Sequence, residues 1–142
     1  MIKPASLRAA ITAALPDLAK NPDRLLVFVD GGKIVKTGTK SLSFEYQYTL
    51  NLILTDFAGD EDVVMVALLA WTQVNQRELF DNFTKQGAGI SFEVDHLNNN
   101  TIDLDIKLAL TEAVNVVTGA DGKHTITHRQ EPVPEWTLDG LA

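Results

Sequence analysis

The chain has 142 residues, 45% hydrophobic and 22% charged, which is typical of one globular domain. It has no cysteine, which excludes disulfides, thiolate nucleophiles and cysteine-based metal sites. With 19 acidic and 12 basic residues, its formal charge is −7. A surface of that sign repels nucleic-acid phosphates, so we expect no stable nucleic-acid binding.

The first predicted element is a helix that begins near Pro4, a favourable first-turn residue because its missing N–H would be unpaired there. Pro16 should kink or end this helix. Residues 1–15 contain no apolar core of a secretory signal, so we expect no leader in this segment. Leu7, Ile11, Ala14 and Leu18 fall on one stripe of this helix at a spacing of 3.6 residues.

Three strands are predicted next. Residues 25–29 form an apolar strand, the glycines of 30–32 favour a hairpin turn, and residues 33–36 return as a second strand. The third strand, residues 43–55, is the most regular stretch of the chain. Its even positions are all apolar, which predicts a half-buried strand. These positions are Phe44, Tyr46, Tyr48, Leu50, Leu52 and Leu54.

A second helix is predicted after this strand. Asp60 suits the N-cap, and the run from Val63 to Trp71 is apolar on nearly every side. This run is far shorter than the ~20 residues of a membrane-spanning helix, so we expect no membrane anchor. We expect Val64, Leu68 and Trp71 in the core, and the remaining apolar face to be covered by a neighbouring subunit.

The rest of the chain predicts more antiparallel strands. Residues 90–95 and 102–110 alternate and form a hairpin, and residues 113–117 and 124–128 form a possible further hairpin. The expected order is α-β-β-β-α-β-β plus this C-terminal hairpin. The fold class is therefore α+β, a mostly antiparallel sheet with helices packed on one face. We expect one domain over residues 1–128 and an extended tail over 129–142.

Carboxylates on the two strands of the first hairpin form the strongest candidate for chemistry. Glu93 and Asp95 share one face of their strand, and Asp103 and Asp105 share one face of the next. Together with His96 they offer the oxygen and nitrogen ligands of a Mg²⁺ or Mn²⁺ enzyme. However, alternating polar residues are also the solvated face of a half-buried sheet, and we favour that interpretation.

The C-terminal tail carries a second candidate surface. Pro132 and Pro134 keep the segment extended and out of central sheet positions. Trp136, Leu138 and Leu141 are apolar residues that something must cover. We therefore expect these three side chains to contact a partner.

Several segments, read in order, resemble the phage tail completion protein R (GpR) family of temperate contractile-tailed phages. They are KPASLRAAITAALPDL, PDRLLVFVDGGKI, TGTKSLSFEYQYTLNLILTDFAGD, VVMVALLAW and GISFEVD, within residues 3–118. The stretch 37–71 is the most specific. The last 25 residues match less clearly.

The resemblance implies a structural virion protein with a tail terminator-like fold. Such a protein completes the head-proximal end of the tail and enables head–tail joining. It forms a homohexameric ring, binds tail tube or sheath on one side and neck proteins on the other, and is assembled in the host cytoplasm. The resemblance implies no catalytic residue and no cofactor. The alternatives are the metal-dependent enzyme and a cytosolic small-molecule binding module.

Overall fold

In the computed structural model, which describes residues 1–81, 89–96 and 100–129, a five-stranded antiparallel sheet carries helices on one face. The expected α+β class is confirmed. The helices are α1 (Lys3–Ala14), α2 (Asp17–Lys20), α3 (Glu61–Asn75) and α4 (Glu78–Asp81), with a 3-10 turn at Pro22–Arg24. The strands are β1 (Leu25–Lys36), β2 (Phe44–Phe57), β3 (Ile90–His96), β4 (Ile102–Thr118) and β5 (His124–His128).

The sheet is ordered β1-β2-β4-β3, and β5 also pairs with β4. β3 lies against residues 102–108 of β4, and β5 lies against residues 114–118. Both strands occupy the edge of β4 that faces away from β2. They leave a short gap between them along that edge.

The hairpin predicted at residues 30–32 is wrong. β1 continues through this segment and pairs with β2 on both sides of it. The register shifts between Val29 and Gly32, where one extra residue is accommodated, and Gly31 has φ +92°. The glycine that suits a hairpin turn also suits a β-bulge, and the length of β2 gives both halves of β1 a partner. With the four-residue helices α2 and α4 left out, the observed order is therefore α-β-β-α-β-β-β.

The strands predicted at 102–110 and 113–117 form one continuous strand, β4. The C-terminal hairpin is confirmed, because β4 and β5 pair from Val114 to Thr118. The hairpin of β3 and β4 is also confirmed by its antiparallel pairing, although residues 97–99 of its loop lie outside the described residues.

The helices begin and end close to the predicted positions. α1 ends at Ala14, two residues before Pro16. The Asp60 carboxylate caps α3 by accepting a hydrogen bond from the Asp62 N–H at 2.9 Å. Within the described part of the chain, no helix is both long enough and apolar enough to cross a membrane.

The core lies between α1, α3 and the even-numbered residues of β2 and β4. Leu50, Leu52 and Leu54 are fully buried, as the alternation predicts. They pack with Leu7, Ile11, Val64, Leu68, Trp71, Leu104, Ile106 and Leu108. The three core residues expected on α3 are thus confirmed. We call the other side of the sheet, which bears the odd-numbered residues of β2 and β4, the open face.

Candidate assembly surfaces

A buried polar cluster fills the gap between β3 and β5. The N–H of Thr111 donates to Gln76 Oε1 at 3.1 Å, and its carbonyl accepts from Lys3 Nζ at 2.6 Å. Lys3 Nζ also donates to Gln76 Oε1 at 2.6 Å. Lys3 and Gln76 are 6% and 1% exposed. These side chains replace the missing strand at this point, so the N–H and the carbonyl of Thr111 remain hydrogen-bonded.

The adjacent residue, Glu112, joins the N-terminus to β2. Its carboxylate accepts hydrogen bonds from the Ile2 N–H at 2.7 Å and from the Tyr48 hydroxyl at 2.6 Å. Burial and the neighbouring Glu112 carboxylate raise the pKa of Tyr48 well above its usual range. Lys3, Gln76 and Glu112 were not among the functional residues predicted from the sequence. The one available signal was an acidic residue at an even, core-facing position of β4.

The raised pKa of Tyr48 predicts a loss of stability in alkali. Above about pH 10 an unfolded chain releases the tyrosine proton while the folded chain retains it, so the free energy of unfolding falls as pH rises. The Tyr48→Phe variant should lose less stability than the wild type between about pH 9 and pH 11. Urea denaturation across this range measures the two slopes. If the free energy of unfolding fell equally with pH in the two proteins, the raised pKa of Tyr48 would be contradicted.

The four predicted carboxylates lie together on the open face of the sheet. Glu93 pairs with Asp105, and Asp95 pairs with Asp103, directly across the two strands. His96 pairs with Ile102 and so lies on the opposite face. In residues 1–81, 89–96 and 100–129, no three His, Cys, Asp or Glu side chains are grouped closely enough to hold a metal ion.

Two of these carboxylates have distinct surroundings. Asp103 Oδ1 accepts from the N–H of Asp56 at 2.9 Å, and Asp56 has φ +52° where the register of β2 shifts. Asp103 therefore stabilises a second bulge. Asp105 Oδ1 and Asn51 Oδ1 are buried and have no hydrogen-bond partner among the described residues. An unpaired buried oxygen costs roughly 1–3 kcal/mol.

The outer side of α3 is apolar and uncovered in the described structure. Val63, Val66 and Leu69 are 43%, 65% and 46% exposed. A shallow groove of about 330 Å³ runs along this side, and α1 contributes Ala14 to its lining. An apolar stripe of this kind on a monomer is typical of a protein–protein contact.

The sheet extends beyond the part that the helices cover. Residues 30–36 of β1, which we call the distal half of β1, are all exposed. Ile34 is 66% exposed there, and Val117 and Ile126 at the β4–β5 end of the sheet are 66% and 64% exposed. The apolar tail residues Trp136, Leu138 and Leu141 lie outside the described residues.

A cavity with a volume of about 590 Å³ lies beside the bulge of β1. Gln47 and Thr49 line it from β2, Thr111 from β4, and Leu79 from α4. Its volume falls in the usual range of small-molecule pockets, ~300–1,000 Å³. Tyr48, whose pKa is raised, also lines this cavity.

Comparison with known proteins matches nearly the whole chain. The sequence pattern of the P2 phage tail completion protein R (GpR) family matches residues 1–132. Tail completion protein R of Escherichia phage P2 is 44% identical over 134 residues, which cover 94% of this chain and 86% of the phage P2 protein. No solved structure matches. The family pattern includes every described element, whereas residues 133–142 lie beyond it.

Proposed function

Because the chain belongs to the P2 phage tail completion protein R (GpR) family, we propose that it completes the head-proximal end of a phage tail and enables head–tail joining. The observation that carries this proposal is the 44% identity to the phage P2 protein over 94% of the chain. The protein acts as a structural component of the virion tail, without catalysis. It is assembled in the host cytoplasm.

The mechanism we propose is self-association into a homohexameric ring on the tail. The exposed stripe of α3 supports this, because Val63, Val66 and Leu69 present apolar side chains that a neighbouring subunit would bury. One side of the ring binds tail tube or sheath protein, and the other side binds the neck. Repetition of one contact around a closed ring multiplies its free energy.

A joining assay tests the proposed function. Tails from a phage that lacks its own completion protein are incubated with the purified protein and with filled heads. We expect joined particles by electron microscopy and infectious virus by titration. The control is the same mixture without the protein. Unjoined tails in both mixtures, with the protein folded by circular dichroism, would overturn the proposal.

The open acidic face gives the ring an expected behaviour towards DNA. We propose that Glu93, Asp95, Asp103 and Asp105 line the lumen or face solvent, where their charge keeps the passing genome unbound. Because Lys and Arg contacts with phosphates supply most of the affinity for duplex DNA, we predict no retention of duplex DNA at physiological salt. Fluorescence anisotropy of a labelled duplex measures this. Submicromolar binding would contradict the proposed lumen.

The C-terminal tail is proposed as an arm that reaches a neighbouring subunit or another virion protein through Trp136, Leu138 and Leu141. Ordering about ten residues costs ~1–2 kcal/mol each for the backbone, which offsets much of the gain from burying the three side chains. Deleting residues 130–142 should therefore leave the melting temperature nearly unchanged and reduce assembly onto tails. Calorimetry and the joining assay measure the two effects. If the truncated chain unfolds, the segment belongs to its own subunit's core.

A further inference from the structure

The outer edge of β1 has no strand partner among the described residues. β1 begins the order β1-β2-β4-β3 and pairs only with β2. Its distal half is exposed along its whole length, and Ile34 is the most exposed of its apolar residues, at 66%. An edge of this length offers backbone hydrogen-bonding groups to an added strand.

The antiparallel ladder identifies the outward-pointing backbone groups. The backbone N–H of Ala109 donates a hydrogen bond to the Gly89 carbonyl at 2.8 Å, and the backbone N–H of Arg129 donates one to the Ala113 carbonyl at 2.9 Å. Odd-numbered residues of β4 therefore point their backbone groups away from β2, and even-numbered residues point towards it. By the same alternation, odd-numbered residues of β2 bond to β1. In the distal half of β1, the N–H and C=O of Ile34 and Lys36 then point outward.

The charge of this edge selects the kind of strand that can pair with it. Lys33 and Lys36 are exposed on the distal half of β1, and Lys40 lies in the loop that follows. Lysines on a free edge repel a second copy of the same edge and favour an acidic strand.

Residues 130–142 have the composition that this edge requires. They contain Glu131, Glu135 and Asp139 and no lysine or arginine. Trp136 and Leu138 are two residues apart and would lie on one face of an extended strand, with acidic residues on the other.

We propose that residues 130–142 of one subunit add as a strand to the outer edge of the distal half of β1 in the next subunit. The inference rests on the ring proposed above. Arg129 is bonded to the edge of the sheet opposite to β1, so the segment leaves one edge and the acceptor lies at the other. Such a head-to-tail contact closes a ring when each copy gives one strand and receives one. Fully extended, the segment spans ~40 Å at ~3.3 Å per residue, which allows it to follow a neighbouring strand.

Disulfide mapping between two full-length chains tests the contact, because the natural chain has no cysteine. One chain carries Ile34→Cys. The other carries a single cysteine at one position from 135 to 139. The two are mixed, oxidised and separated on non-reducing gels. We expect intermolecular disulfides at alternate positions of the scan, since successive side chains of an added strand face opposite sides. Cysteines that react equally at all five positions, or at none, overturn the inference.

Two controls separate this contact from chance collision and from charge alone. Val117 is as exposed as Ile34, at 66%, so Val117→Cys serves as the matched control. It should give no disulfides at alternate positions of the scan. Lys33→Glu combined with Lys36→Glu should abolish the disulfides. Glu135→Lys combined with Asp139→Lys in the partner chain should restore them. Failure of this restoration counts against the pairing.

The inference and the proposed ring can fail separately. Ring formation is measured by analytical ultracentrifugation of the same mixtures. Rings without the periodic disulfides overturn the strand addition and leave the ring intact. Periodic disulfides without closed rings support the strand addition and count against the ring. Reaction only within one chain, seen with both cysteines in a single dilute chain and not on mixing, overturns addition to the next subunit.

Discussion

Replacing Leu68 with Ala should lower the free energy of unfolding by ~2–5 kcal/mol. Leu68 is 1% exposed and packs in the core between α3 and the sheet, so the substitution removes buried methyl groups and leaves a cavity. A domain of this size has a total stability of roughly 7–20 kcal/mol, so the variant loses a large share of it. Urea denaturation monitored by circular dichroism measures the change.

The neighbouring leucine provides a matched control. Leu69 is 46% exposed, and Leu69→Ala should change stability by no more than about 0.5 kcal/mol. If the exposed stripe of α3 is a subunit contact, this second variant should instead weaken ring formation in ultracentrifugation. Equal losses of stability in the two variants would contradict the assignment of one leucine to the core and the other to the surface.

Local signals made α3 and β2 predictable. The Asp60 cap and the spacing of Val64, Leu68 and Trp71 depend on residues within one helix, and all were borne out. The alternation of apolar residues also predicted that the four carboxylates share a face, and the register places them opposite one another. The sequence could not identify what that face contacts. Its role remains a prediction.

Non-local pairing caused the errors in the fold. Gly31 has the positive φ that both a hairpin turn and a bulge require, and the choice depends on whether residues 33–36 continue along β2. Similarly, Glu112 interrupts the apolar pattern of β4, and residues 102–110 and 113–117 were therefore predicted as two separate strands. Its carboxylate is satisfied by Tyr48 and Ile2, which are 64 and 110 positions away in the chain. No local pattern specifies such partners.

The Gln76→Leu variant tests the polar cluster at the edge of β4. Leucine has a similar size, but its side chain neither accepts nor donates hydrogen bonds. The Thr111 N–H and the Lys3 ammonium would therefore each lose the hydrogen bond to Gln76 Oε1. A buried donor left unsatisfied costs ~1–3 kcal/mol, and more when it is charged. We therefore expect the free energy of unfolding to fall by roughly 2–5 kcal/mol.

The change at Gln76 should also have a local signature. Hydrogen exchange of the Thr111 amide should accelerate more than that of Ala109, whose N–H remains bonded to Gly89 within the strand pairing. Gln73→Leu, an exposed glutamine one turn earlier, serves as the matched control and should alter stability by no more than about 0.5 kcal/mol. A Gln76→Leu protein as stable as the control, with unchanged Thr111 exchange, would mean that the edge of β4 does not depend on this side chain. The expected loss follows from the gap between β3 and β5. Neither strand extends to Thr111, and in the described structure its outward-pointing N–H and carbonyl bond to Gln76 and Lys3 instead.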